Sequence, residues 1–156
     1  MYTFKVTRRF VNFLVAGTRV EVDIPDRCLI FVPEMKSWEG AWKHCITLDA
    51  DLVVVQASQV KGLADYIKRE KNKLKGGKHS NSVLDNTATW VGVRNRKWTD
   101  SRPVKYWRDS EPNGTKEQCG SLKEDGKISD ERCIKCRFFV CSKSVRFNIN
   151  TYKKKD

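Results

Sequence analysis

The sequence predicts an α+β fold of 156 residues, with two helices flanking antiparallel sheets, a long irregular loop and disulfide staples. Three observations predict it. Two stretches carry apolar residues at helical spacing, and short β-type runs lie before, between and after them. Six cysteines, an even count, are spread along the chain, and four of them (Cys119, Cys133, Cys136, Cys141) fall in its last third. From Arg94 to Lys116 the chain is punctuated by Pro103, Pro112 and Gly114, yet it holds Trp98, Tyr106 and Trp107. A loop of that length and aromatic content is packed and not disordered, and such loops often carry function.

Residues 1–27 alternate weakly (Tyr2, Phe4, Val6, then Val20, Val22, Ile24) and read as an N-terminal stem or edge strands. Cys28 to Val32 is a short β run closed by Pro33. Ser37 caps a helix in which Trp38, Ala41, Trp42, Cys45 and Leu48 recur at helical spacing, a core stripe that puts Cys45 on the buried face. Leu52 to Val55 is a buried strand. Ser58 caps a second helix, with Val60, Leu63, Ala64 and Ile67 inward and its lysines outward. A polar loop from Gly76 to Ser82 ends it. Thr89 to Val93 forms a third strand, and Arg137 to Cys141 a closing one. The expected organisation is a stem over 1–27, one domain over 28–143 and a basic tail over 144–156.

Lys plus Arg number 31 against 19 Asp plus Glu, a formal charge of +12, which favours anionic partners such as sulfated or sialylated glycans. Seven of these cations lie between Lys61 and Lys78, and Lys153 to Lys155 form a terminal cluster. No recognised nucleic-acid module accompanies the charge, so nucleic acid is not an expected partner. No run approaches the roughly 20 apolar residues that span a bilayer. Phe10 to Ala16 is short, broken by Asn12, and lacks the small-residue cleavage pattern of a signal peptide. The chain is compatible with the ectodomain of a longer, type II membrane-anchored protein or with a secreted one. Cys133-Ile134-Lys135-Cys136 is a lone C-x-x-C without the second pair that zinc requires or the βαβ setting of redox enzymes. Disulfides, and hence an extracellular or cell-surface environment, are the expectation.

The order of elements resembles the C-type lectin-like domain superfamily. The matching pieces are Lys36-Ser37-Trp38 with Cys45, then Ala50 to Val55, then Trp90-Val91-Gly92-Val93. They continue with Glu111-Pro112-Asn113, Cys119, Asp130 with Cys133, and Phe139-Val140-Cys141. The resemblance implies that Cys45 pairs with Cys141 and Cys119 with Cys133. Cys28 and Cys136 remain; mutual pairing, pairing between chains in a homodimer, and free thiols stay open, with a Cys28–Cys136 bridge slightly favoured.

The resemblance also implies a candidate calcium and sugar site at Glu111, Asn113, Glu117, Ser129 and Asp130, with the mannose-type Glu-Pro-Asn order. Three departures weaken it. Ser129 replaces an amide ligand, the stretch from Asn113 to Glu117 is about two residues short, and Arg94-Asn95-Arg96-Lys97 with Gln118 stands where an auxiliary site's acids are expected. Asn113-Gly114-Thr115 is in addition an N-glycosylation sequon. Glu111 to Gly114 is also a good turn sequence, and Asp130 can simply cap a turn.

The leading functional expectation is an extracellular recognition module, similar to natural-killer-type lectin-like receptors. It would bind a glycan or cell-surface protein through the long-loop face, with Ca2+ dependence weak or absent. Arg102, Tyr106 and Arg108 are the expected contacts beside Glu111, Asn113, Glu117 and Asp130, whereas Trp98 and Trp107 belong more naturally to the core. The alternatives are a calcium-dependent mannose/glucose lectin and a calcium-independent binder of anionic glycans through the basic helix and loop. No nucleophile–base–orienter set is present in the sequence, so an enzyme is not expected.

Overall fold

The computed structural model describes residues 13–15, 18–20, 27–75, 88–116 and 118–144. The expectations placed on Tyr2, Phe4, Val6, Val22 and Ile24, on the Gly76 to Ser82 loop, on Glu117 and on the basic tail lie outside those residues. Strands β1 (Phe13–Val15) and β2 (Thr18–Val20) form a separate two-stranded antiparallel sheet.

Among the described residues the main sheet has seven strands: β3 (Arg27–Lys36), β4 (Asp51–Leu52), β5 (Thr89–Arg94), β6 (Lys97–Trp98), β7 (Cys119–Leu122), β8 (Ile128–Glu131) and β9 (Arg137–Ser144). Its main path runs β3-β9-β5-β7-β8, with β4 paired to β9 and β6 to β5. Every pair is antiparallel except β5 with β9, which makes the sheet mixed. Pro33 was expected to end β3, but the strand continues to Lys36 through an irregularity after Val32. Proline lacks a ladder donor and is tolerated there because β3 is the sheet edge.

Period-two alternation divides the core in two. On β9, Phe138 and Val140 join the cluster built with α2 (Val60–Lys75), while Phe139 and Cys141 join the one built with α1 (Trp38–Thr47). The helices therefore cover opposite faces of the sheet. Gly92 lets the layers meet: its N–H donates to Val53 O at 2.8 Å, and a Cβ there would lie 2.8 Å from Leu52 O.

Ser37 Oγ accepts the Gly40 N–H at 3.1 Å and caps α1. Trp38, Ala41 and Cys45 are buried, but Trp42 and Leu48 are 38% and 37% exposed, so the core stripe is narrower than expected. One edge of the helix overhangs the sheet. Ser58 does not stand ahead of the helical segment as its expected cap but lies inside a 3-10 turn, Ala57–Gln59, that leads into α2, and there Gln59 Oε1 accepts the Gln56 N–H at 2.8 Å. Lys71 is buried too, against the expectation that the lysines face outward; it follows Ile67 by four residues and so falls on the inward stripe. Tyr66 joins α2 to β3, accepting from Phe31 N–H at 3.2 Å and donating to Leu29 O at 3.4 Å.

Disulfides link Cys45 to Cys141 and Cys119 to Cys133. The first closes a separation of 96 residues, a span worth about 4–5 kcal/mol in the chain-entropy model. The favoured Cys28–Cys136 bridge is not formed: Cys28 is buried and free, Cys136 exposed and free. Cys28 pairs across the ladder with Lys143, whereas Cys136 precedes Arg137 at the Lys36 end. The seven residue steps from Cys136 to Lys143, the partner of Cys28, separate the two cysteines by about 23 Å along the strand.

Candidate ligand-recognition site

The long loop opens with the β5–β6 hairpin, whose two linking residues, Asn95 and Arg96, have φ of 51° and 64°. Paired positive φ values define the tight turn that matches strand twist, and asparagine favours it. The turn places Arg96 at an exposed tip, from which its Nη2 donates to Gly114 O at 2.8 Å. Further on, Arg108 N–H donates to Ile128 O and Ile128 N–H to Tyr106 O, stitching the loop to β8.

The β7–β8 hairpin sets Gly120 opposite Asp130 and Ser121 opposite Ser129, and the Cys119–Cys133 bridge fixes its open end. Asp130 is 3% exposed. Its Oδ1 accepts the Asn113 N–H and its Oδ2 the Gly114 N–H, each at 3.3 Å. Its own N–H donates to Glu111 Oε2 at 3.3 Å. The Glu111–Pro112 peptide bond is cis, Asn113 is exposed and Ser129 is 4% exposed. The fold thus gathers Glu111, Asn113 and Asp130, while Glu117 is outside the described residues.

Ca²⁺ takes roughly six to eight oxygen ligands. Here both Asp130 oxygens and one Glu111 oxygen already accept backbone N–H groups, and Ser129 adds only a buried hydroxyl. A guanidinium also sits on the same loop at Gly114. Among the described residues no group of three or more His, Cys, Asp or Glu side chains converges as a cage. The described donor set does not fit a tightly held calcium ion.

Arg102 and Tyr106 line a groove of about 440 Å³ with Lys105, whereas Arg108 stands outside it, 3.9 Å from Asp125. Arg102 Nε lies 2.6 Å from Asp100 Oδ2. Tyr106 is 46% exposed, whereas Trp98 is buried and Trp107 packs on the core, so the two indoles hold the loop and the phenol faces out. A larger groove, about 1030 Å³, runs beside α1 past Trp42 and Ile46. Its wall carries the Lys143–Asp49 pair at 3.0 Å and Arg94 stacked 5.3 Å from the Trp38 ring. His44 packs edge-on against Phe139 at 5.3 Å, a core role.

Two features escaped the sequence reading. One is the Arg96–Gly114 contact, signalled only as part of a cationic tetrapeptide. The other is Glu131, which accepts Arg137 Nε at 3.1 Å and Nη2 at 3.0 Å, with Lys123 and Lys135 at 3.6 Å. Burial alone would raise its pKa, but the Arg137 guanidinium and the Lys123 charge outweigh it and hold the group at about 2. This cluster ties β8 to the first residue of β9, and through Lys135 to the turn before it.

Comparison with known proteins matches the pattern described as Lectin C-type domain over residues 34–143. Mouse CD209 antigen-like protein A is 26% identical over 122 residues, covering 74% of this chain and 47% of the relative. Human C-type lectin domain family 4 member C is 28% identical over 99 residues, covering 61% and 42%. The chain thus spans about half the length of these curated relatives. Among solved structures, human lithostathine superposes with a TM-score of 0.61 at 20% identity, over 76% of this chain and 92% of that one. The mouse scavenger receptor C-type lectin carbohydrate-recognition domain gives 0.58 at 21%, over 90% and 97%. The C-type lectin domain of murine dendritic cell inhibitory receptor 2, solved in complex with N-glycan, gives 0.52 at 20%, over 76% and 91%. At such identities these structures show the fold alone. With that fold, its two bridges and a family match across most of the chain, the protein belongs to the C-type lectin domain family.

Proposed function

We propose that this domain is an extracellular recognition module that binds a glycan or a cell-surface protein through its long-loop face, with weak or no dependence on calcium. The observation that carries this reading is the closure of the loop at Asn113–Gly114 by Asp130 and Arg96. A carboxylate whose two oxygens each accept a backbone N–H has fewer lone pairs left to offer a cation. The family match supports ligand recognition, and the N-glycan complex of the dendritic cell inhibitory receptor 2 domain supports the glycan arm. The expected contacts are Glu111, Asn113, Asp130, Arg102, Tyr106 and Arg108. Glycosylation at the exposed Asn113 would block part of this face.

A second reading, a calcium-dependent mannose-type lectin, is favoured by the meeting of Glu111, Asn113 and Asp130 in one network. Calorimetric calcium titration and a glycan array, with and without chelator, separate the two. Glycan or protein binding that survives chelator supports the proposal. Millimolar or tighter calcium affinity with a chelator-sensitive mannose signal overturns it.

A further inference from the structure

The groove between the start of α2 and the Trp98–Tyr106 segment has a chemistry distinct from the Glu111–Asp130 loop. Its volume, about 440 Å³, lies in the range of small-ligand pockets. Buried Val55, Val60, Trp98 and Ile128 form an apolar floor. Among the described residues, the charged ones on its wall are Arg102 and Lys105, and no carboxylate lines it. Arg102 is held by Asp100 just outside, while Lys105 is exposed and makes no ion pair among the described residues. Gln56 and Ser58, both exposed, add an amide and a hydroxyl at the N-terminal pole of the helical segment leading into α2, where the helix dipole favours negative charge. Tyr106 presents a half-exposed ring.

We propose that this groove binds an acidic sugar residue, one bearing a carboxylate or a sulfate. The anion would meet Lys105 and the free guanidinium nitrogens of Arg102, the hydroxyls would meet Gln56 and Ser58, and the pyranose face would lie on Tyr106. Each demand of such a ligand has its match: a charge needs a cation without a competing acid, as Lys105 is among the described residues, hydroxyls need amide and hydroxyl partners, and an apolar sugar face needs a ring. A plain anion would use only the first of the three. The overall charge of +12 raises the local concentration of such ligands. The inference rests on the recognition reading above and names a ligand class and a site for it.

The test is an NMR amide-shift titration of the whole 156-residue chain in chelator. The probes are 3′-sialyllactose, N-acetylglucosamine 6-sulfate, neutral lactose and inorganic sulfate. One or both acidic sugars are expected to give saturable shifts at Ser58, Lys105 and Tyr106; which of them does so tells carboxylate from sulfate. Lactose and inorganic sulfate are expected not to saturate over the same range. Lys105→Glu should weaken binding by about tenfold or more, Tyr106→Ala should weaken it while Tyr106→Phe keeps it, and Lys43→Ala on α1 should change nothing. Equal binding by lactose, equal saturation by inorganic sulfate, shifts confined to Glu111–Gly114, or an unchanged affinity in Lys105→Glu would each overturn the proposal. A flat groove titration beside positive array or protein-ligand signals would sink the groove and leave the recognition reading standing.

Discussion

Glu111 and Asp130, nineteen residues apart, are joined by a hydrogen bond from the Asp130 N–H to the Glu111 carboxylate at 3.3 Å. The Asp130 carboxylate in turn holds the backbone at Asn113 and Gly114. Two acidic side chains that a lectin would aim at a cation are here turned onto the main chain. Asp130 therefore closes the loop from within. Asp130→Ala should cost about 1–2 kcal/mol, since it leaves two part-buried N–H groups without their carboxylate partner. Urea unfolding in the presence of chelator measures it, and an unchanged midpoint would show that the network does not close the loop.

Arg96 reaches the same loop from the β5–β6 turn, through Gly114 O at 2.8 Å. Removing its charge should make the site more hospitable to a cation. Arg96→Glu is expected to tighten calcium binding at least several-fold by calorimetry, and Arg96→Glu with Ser129→Asn more than either alone. If Arg96→Glu has no effect, the positive charge is not what keeps calcium affinity low.

Glu131 ties stability to pH. Its folded pKa of about 2 lies below the ordinary 4.5, so it binds a proton less readily when folded. Its contribution is fully present above about pH 5 and is lost as pH falls toward 2, an effect of about 3 kcal/mol. Arg137→Met removes the guanidinium that donates to both carboxylate oxygens, and the acid-unfolding midpoint should move upward by about one unit or more. Tryptophan fluorescence across pH 2–6 checks it. A midpoint equal to that of the parent protein would mean that Lys123 and Lys135 hold the carboxylate without Arg137.

Cys28 and Cys136 lie at opposite ends of the β3–β9 ladder, one buried and one exposed. Burial pushes the Cys28 thiol up in pKa and so lowers its reactivity. One thiol per chain should react quickly with a maleimide in the native protein, and two after unfolding in denaturant. No reactive thiol in denaturant would restore a Cys28–Cys136 bridge. A species of doubled mass on non-reducing electrophoresis would place Cys136 between two chains.

Periodic signals were readable where one face of an element meets a broad core. Trp38, Ala41 and Cys45 on α1, and Phe139 with Cys141 on β9, stood out because burial enforces their spacing. Trp42 and Leu48 shared that spacing but overhang the sheet, and a stripe does not reveal its own width. The β7–β8 hairpin gave a weak signal because Cys-Gly-Ser-Leu and Ile-Ser-Asp-Glu are poor in β-branched alternation. Its strands are held instead by pairing with β5, by the Cys119–Cys133 bridge and by the Glu131 ion cluster.

The sequence by itself determined the fold class, the helix that carries Cys45 and the family, because burial periodicity and cysteine order are properties of the linear chain. It also named Glu111, Asn113 and Asp130 as residues that belong together. Only the tertiary structure decided what they do to one another. Whether a carboxylate faces a cation or a backbone N–H depends on where a hairpin sets it, and here Asp130 lies opposite Gly120 and against Asn113–Gly114. The fate of Cys28 and Cys136, the burial of Lys71 and the groove beside Tyr106, which no described carboxylate lines, are likewise matters of distance between residues remote in sequence, which composition and spacing do not encode.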